Sequence, residues 1–104
     1  MSQVKCQSKY LGKEVDVTAG WDRPLHSYHL TIFDSHPAED AESDVIWCQL
    51  DHFELFTPTE IEPLVEQIEK MGIIVPVDFW TFAKRKEGNV QYIHRDGKWE
   101  RGSF

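Results

Sequence analysis

The sequence predicts an α+β fold, in which an antiparallel sheet of four or more strands is packed by one or two helices. Two kinds of observation predict it: short alternating or apolar runs typical of strands lie towards both ends of the chain, and one segment between them carries apolar residues at helical spacing. With turn residues at the boundaries, the predicted order is β-β-β-β-α-α-β-β. A chain of 104 residues has the size of a single domain, residues 1–104.

The N-terminal third is predicted to form three strands. Gln3 to Tyr10 and Lys13 to Thr18 flank Leu11-Gly12, which indicates a hairpin. Residues 19–24 (AGWDRP) are predicted to form a turn or bulge, because Gly permits a bend and Pro fixes the backbone after it. His26 to Asp34 is the third strand.

An acidic loop at residues 34–43 (DSHPAEDAES) is predicted to lead into a fourth strand, Asp44 to Leu50. The sequence of this strand (DVIWCQL) is almost continuously apolar. A strand that is apolar on both faces is typical of the middle of a sheet, so we expect a central position.

An amphipathic helix follows, and its start has two candidate capping boxes, Thr57 with Glu60 and Thr59 with Glu62. Pro63 favours the later start, because proline is tolerated only in the first turn. Gly72 is predicted to end the helix. The apolar residues at helical spacing are Ile61, Leu64, Val65, Ile68 and Met71.

The segment at residues 78–87 is ambiguous, because its aromatic residues also favour a strand. We predict a second helix, since Pro76 before it and Gly88 after it are typical helix boundaries. The last element is a hairpin, Val90 to His94 and Lys98 to Arg101, around the turn Asp96-Gly97.

Charge is the strongest asymmetry of the sequence. From Asp34 to Glu69 the chain carries eleven acidic residues and no Lys or Arg, and its formal net charge is -7. An acidic surface repels nucleic acid and anionic membranes and attracts basic surfaces. We therefore expect a basic protein as partner, and neither nucleic acid nor a membrane. The basic and aromatic stretch from Lys84 to Arg101 is the part that could bind a single strand.

Two groups of acidic residues form the predicted partner-binding surface. One surrounds the acidic loop, and the other lies at positions i, i+4 and i+7 of the helix, where like charges cost stability. A stripe that costs stability hints at a use, although it could also be a solvated face. The residues are Asp34, Glu39, Asp40, Glu42 and Asp44 in the loop, and Glu62, Glu66 and Glu69 on the helix.

Motifs for catalysis, metal binding or cofactor binding are not found. The sequence has no HExxH, no Walker A loop, no GxGxxG and no GxSxG. We therefore predict no catalytic residue, no metal site and no cofactor. The nearest approaches to a weak divalent-ion site are His36 with Asp34 and Glu39, and Asp51-His52 with Glu54. No apolar leader or membrane span is evident, so the expected location is the cytoplasm.

Residues 20–25 (GWDRPL) are the most distinctive local motif. Trp21, Asp22 and Arg23 are either a recognition corner or a shaped structural bulge. With the acidic loop and the MGIIVP connector, the motif resembles a group of small uncharacterised bacterial proteins associated with mobile or accessory DNA. The resemblance covers residues 13–89 and implies that residues 90–104 are a C-terminal extension. The group has no known activity to carry over.

The sequence favours a small cytoplasmic binding or regulatory protein that docks a basic partner through its acidic surface. It leans against an enzyme without deciding the question. Two alternatives stay open. One is a small-molecule-binding protein or small enzyme with a pocket between sheet and helices, near Trp21, His29, Trp47 and Trp80. The other is a structural subunit of a homo-oligomer.

Overall fold

The structure, a computed structural model, describes residues 2–23, 26–37, 39–40, 44–48, 60–85 and 90–103. In this part of the chain the elements follow the predicted order, and the α+β class is confirmed. The strands are β1 (Ser2–Tyr10), β2 (Lys13–Asp22), β3 (Ser27–Asp34), β4 (Val45–Cys48), β5 (Val90–Arg95) and β6 (Lys98–Ser103). The helices are α1 (Glu62–Lys70) and α2 (Phe79–Ala83).

These strands form one mixed sheet in the order β4-β3-β2-β1-β5-β6. The predicted antiparallel sheet is wrong at one boundary, because β1 and β5 are parallel, with Ser2 opposite Val90 and Lys5 opposite Ile93. The other four pairings are antiparallel. Apolar periodicity shows which residues form strands but not which strands become neighbours. Strand β5 follows the two helices in sequence and lies beside β1, the first strand, with the same direction.

Both predicted hairpin turns are confirmed. Leu11 and Gly12 have φ values of 51° and 80°, and Asp96 and Gly97 have values of 53° and 76°. Positive φ at both central residues is the signature of the two-residue type I′ turn, which matches the twist of the flanking strands. Each turn therefore connects its strands without a longer loop.

Strand β2 is longer than predicted. It continues to Asp22, which lies opposite Ser27 of β3, and Trp21 lies opposite Tyr28. The predicted turn or bulge at residues 19–24 is therefore wrong for its first four residues. Glycine weakens a strand pattern in the sequence, but in the structure Gly20 lies inside the ladder. The backbone of Ser2 approaches it closely, which is one reason for a glycine within a strand.

Strand β4 is at the edge of the sheet formed by the described strands, with β3 as its neighbour. The predicted central position is wrong. Val45 is 38% exposed, and the three residues after it are half-buried. An apolar run indicates that both faces of a strand are buried, but it does not show that the strand has a neighbouring strand at each edge. Residues 49–50, the end of the predicted strand, lie outside the described residues.

Helix α1 begins at Glu62 with Ile61 as N-cap, and Pro63 lies in its first turn, as predicted. Thr57 and Thr59 of the predicted capping boxes lie outside the described residues. The predicted end at Gly72 is confirmed, since Gly72 has a φ of 70°.

The C-terminal end of α1 is closed by two backbone hydrogen bonds. Gly72 N donates to Glu69 O at 3.0 Å, and Ile73 N donates to Ile68 O at 3.2 Å. This pair of bonds is a Schellman motif, and buried Ile73 supplies the apolar contact that accompanies it.

The ambiguous segment forms a helix, as predicted, but α2 is short and covers Phe79–Ala83. Phe79 and Ala83 are fully buried and face β1 and β2. Residues 86–89, the end of the predicted helix, lie outside the described residues.

A single apolar cluster joins the helices to one face of the sheet. Alternate residues of β1, β2 and β3 point into it, together with residues of both helices. The cluster leaves the other face of the sheet without a helix among the described elements. Its fully buried members include Val4, Val15, Val17, Leu30, Ile32, Leu64 and Phe79.

Candidate functional site

Asp34, the first residue of the predicted acidic surface, has a structural role at the end of β3. Its Oδ1 accepts a hydrogen bond from His36 N at 2.9 Å, and its Oδ2 lies 3.9 Å from Lys13 Nζ. The Asp34 side chain is 19% exposed. Its charge is thus partly offset within the molecule, and it contributes less to the outer field than its neighbours in the loop.

His36 is directed towards Glu14 of the first hairpin rather than towards the acidic loop. Its Nε2 lies 2.7 Å from Glu14 Oε2, and both side chains are exposed. In the described part of the chain, no three His, Cys, Asp or Glu side chains come together as a metal would need. Residues 51–54, which hold the second predicted cluster, lie outside it.

The remaining described acidic residues of the loop face solvent. Glu39, Asp40 and Asp44 are all exposed. Glu42 lies outside the described residues. Asp44 also fixes the loop, because its carbonyl oxygen accepts a hydrogen bond from Asp34 N at 2.7 Å. We call Asp34, Glu39, Asp40 and Asp44 the loop patch.

The acidic stripe of α1 is exposed along its whole length. Leu64 and Ile68 are buried against the sheet, and Glu62, Glu66 and Glu69 lie on the solvent side. The structure gives none of the three glutamates an ion pair with another described residue. We call Glu62, Glu66 and Glu69 the helix patch.

The helix patch begins near the N-terminal end of β3, and the loop patch begins at the C-terminal end of the same strand. Glu62 and Tyr28 line the same cavity, so Glu62 lies near the N-terminal end of β3. Asp34 ends the same strand about 20 Å away, at about 3.3 Å per residue. Helix α1 then runs towards the loop, because Gly72 beyond its end shares a cavity with Glu14, the partner of His36.

The predicted recognition corner is only partly at the surface. Trp21 is 9% exposed and packs edge-on against Tyr28, with ring centroids 4.9 Å apart. Asp22 is half-buried, and Arg23 is exposed. Residues 24–25 of the motif lie outside the described residues. Arg23 is thus the described residue of the corner most open to a partner.

A junction around Ser2, which sequence analysis missed, holds the corner in place. Ser2 Oγ donates to Arg85 O at 3.0 Å and accepts from Trp21 N at 3.2 Å. Ser2 O lies 3.3 Å from His29 Nε2, and because a carbonyl oxygen only accepts, the ring donates this bond from Nε2–H. No motif marks a serine near the chain start, and only the sheet order brings these residues together.

His29 is the titratable group most affected by this junction. Burial lowers its pKa below the ordinary value of 6.5, while the hydrogen bond to Ser2 and the charge of Asp22 oppose that effect. The net result favours the neutral ring. His29 is therefore a half-buried, hydrogen-bonded residue beside Gly20.

The basic and aromatic stretch near the C-terminus is largely engaged within the protein. Arg85 lies over the Phe82 ring at 5.2 Å, and its Nη1 donates to Tyr92 Oη at 3.2 Å. Tyr92 is 6% exposed and stacks on Phe82 at 4.4 Å. Trp99 packs edge-on against Phe82 at 4.9 Å. These rings are therefore poorly placed to stack on nucleic-acid bases.

Two cavities lie near the acidic patches. One of about 380 Å³ is lined by Ile61, Glu62, Val65, Glu66, Trp80 and Lys84. The other, of about 430 Å³, is lined by Gln7, Ser8, Lys9, Glu14, Gly72 and Ile74. Of the residues around which a pocket was predicted, Trp80 lines the first cavity.

A comparison of the chain with protein-family models, with curated proteins and with solved structures finds no match. No activity is therefore carried over from a relative, and the function is argued from the residues themselves. Among the described residues, no helix is both long and apolar enough to cross a membrane.

Proposed function

We propose that this chain is a small binding or regulatory protein that docks a basic protein partner through the helix patch and the loop patch. The observation that carries the proposal is the helix patch, whose three glutamates are exposed and form no ion pair within the described part of the chain. Like charges at i and i+4 cost a few tenths of a kcal/mol, and a cationic partner would remove that cost.

The cavity beside Trp80 adds a contact for the apolar part of a basic side chain. Its apolar lining is Ile61, Val65 and Trp80, and its charged lining is two carboxylates, Glu62 and Glu66, and one ammonium group, Lys84. Lysine and arginine carry an apolar stem and a charged head, so such a side chain can fill the cleft and still reach a carboxylate. An apolar centre with a charged rim is common in transient interfaces.

The test is a pull-down from a lysate of the source cell at low salt, with nuclease added, followed by affinity measurements with the captured protein. Three baits are compared: the wild type, a helix-patch variant (E62Q, E66Q and E69Q) and a loop-patch variant (E39Q, D40N and D44N). Each exposed pair contributes roughly 0.2–1 kcal/mol, so the helix-patch variant should bind about tenfold more weakly.

Salt dependence distinguishes charge from other modes of binding. Exposed ion pairs are screened at high ionic strength, so wild-type affinity should fall as salt is raised and variant affinity should fall less. The loop-patch variant shows whether both patches meet the same partner. A partner that binds all three baits equally, or with no response to salt, would rule out docking through the acidic surface.

A small-molecule-binding protein is a second candidate, favoured by the cavity of about 430 Å³. This volume lies within the range of small-ligand sites, and the cavity combines Ile74 with the polar Gln7 and Ser8. A ligand that binds there should raise the melting temperature by mass action. Ile74 is 83% exposed, so Ile74→Asp should abolish that shift without unfolding the protein. A ligand shift that survives Ile74→Asp would place the ligand elsewhere.

A further inference from the structure

Strand β6 leaves an unpaired edge on the sheet formed by the described strands. The type I′ turn at Asp96-Gly97 makes Arg95 and Lys98 the pair that closes the hairpin. In an antiparallel ladder, residues alternate between pointing their backbone groups at the partner strand and away from it. The N–H and C=O groups of Trp99 therefore point to the open edge, where another strand can pair with them.

The charges on β6 alternate around Trp99. Lys98 and Glu100 lie on the face of the sheet without a helix, and Trp99 lies on the opposite face against Phe82. Lys98 stands directly opposite Arg95, and like charges in that position are unfavourable. Glu100 Oε2 lies 4.0 Å from Arg95 Nη1. Glu100 is diagonal to Arg95 in the hairpin and not directly opposite it, so this contact offsets the repulsion only in part.

A second copy could meet this edge in an antiparallel two-fold register centred on any residue of β6, since facing residues must then lie on the same side of both strands. With the axis at Glu100, the two copies of Glu100 face each other, and with the axis at Arg101 two arginines do. With the axis at Trp99, Lys98 faces Glu100 of the other copy, and Glu100 faces Lys98. Only this register pairs opposite charges, and it does so twice.

We infer that the protein forms a symmetric dimer through β6, with Trp99 of one copy opposite Trp99 of the other. The two sheets then join into one continuous sheet across a two-fold axis, an isologous contact. The incoming Glu100 also relieves the repulsion between Lys98 and Arg95. This edge lies at the other side of the sheet from β4 and the loop patch, so the dimer is independent of the docking proposed above.

Charge reversal at the paired positions tests the dimer. We would measure mass against concentration by analytical ultracentrifugation for the wild type, Lys98→Glu, Glu100→Lys and the double variant. Each single change turns two attractive pairs into two repulsive ones, so dimerisation should weaken at least about tenfold. The double variant restores both pairs and should dimerise as the wild type does. A mixture of the two single variants should form a heterodimer.

The variant Lys98→Glu distinguishes loss of the dimer from loss of folding. The new glutamate stands opposite Arg95 within the hairpin, so the melting temperature of the monomer should hold or rise while the dimer is lost. A wild type that stays monomeric at high concentration, single variants that dimerise as well as the wild type, or a mixture without heterodimer would each overturn the inference.

Discussion

Gly20 of β2 lies where the backbone of β1 leaves no room for a side chain. A Cβ atom at this position would lie 2.8 Å from Ser2 C and 2.9 Å from His29 Nε2, and closer still to Ser2 O. A side chain would therefore push the start of β1 away from the junction. The glycine is required by this close approach and not by an unusual φ.

We expect Gly20→Ala to lower the free energy of unfolding by roughly 1–3 kcal/mol, because the added methyl group meets backbone that cannot yield easily. Chemical denaturation measures this loss. Gly102→Ala is the matched control, since that glycine also lies in a strand and no atom would lie within 4 Å of its Cβ. The control should change stability by no more than about 0.5 kcal/mol. Equal effects at the two glycines would contradict the close approach.

His29 should make stability depend on pH. Its pKa in the folded protein is below the value of 6.5 that it has when exposed, so the unfolded chain binds more protons as the solution is acidified. The contribution of the neutral ring to stability is complete above pH 6.5 and is lost as pH falls through the lower, folded pKa. Denaturation curves measured from neutral pH downwards should show this loss.

The change His29→Gln keeps a donor for Ser2 O but cannot titrate, so the decline in stability below pH 6.5 should become shallower. His36→Gln is the control, because that histidine is 77% exposed. A pH profile that is unchanged by His29→Gln would show that another group is responsible.

At the scale of elements, the β5–β6 hairpin is part of the main sheet. β5 pairs with β1, and Tyr92 is buried in the same apolar cluster as the helices. The sequence resemblance implies that residues 90–104 are an extension. In the structure this hairpin covers an edge of β1 that would otherwise be open.

A chain that ends at residue 89 should therefore fail to fold cooperatively. It loses the partner of β1 and the stacked pair of Phe82 and Tyr92, whose ring centroids are 4.4 Å apart. Far-UV circular dichroism during thermal unfolding measures the effect. The full chain is the reference for the unfolding transition. A sharp transition in the shortened chain would show that the hairpin is dispensable.

Local signals predicted local elements well. The turns at Leu11-Gly12 and Asp96-Gly97 and the end of α1 at Gly72 each contain a glycine, which adopts positive φ at little cost. The sequence could not show that β4 is an edge strand or that β1 lies beside β5, because pairing depends on contacts between distant segments. The residues around Trp21 predict a turn, whereas in the structure Trp21 belongs to β2 and its N–H donates to Ser2 Oγ, a residue distant in sequence.

At the scale of the whole molecule, the fold places the acidic and the basic residues of the chain at different sides of the sheet. The acidic loop connects β3 to β4 at one side, and the basic residues of β5 and β6 lie at the other side. A basic partner and a second copy of the chain would thus approach from different directions. The charge reversals that test the dimer therefore leave the acidic patches unchanged.

The position of β1 also sets the order in which the protein can be completed during translation. β1 is made first, yet one of its two neighbours is β5, beginning with Val90 opposite Ser2. Before β5 has been made, β1 is paired only with β2, on one of its two sides. The nascent chain therefore carries an unpaired strand edge on β1 until β5 leaves the exit tunnel, and the sheet can be completed only from that point on.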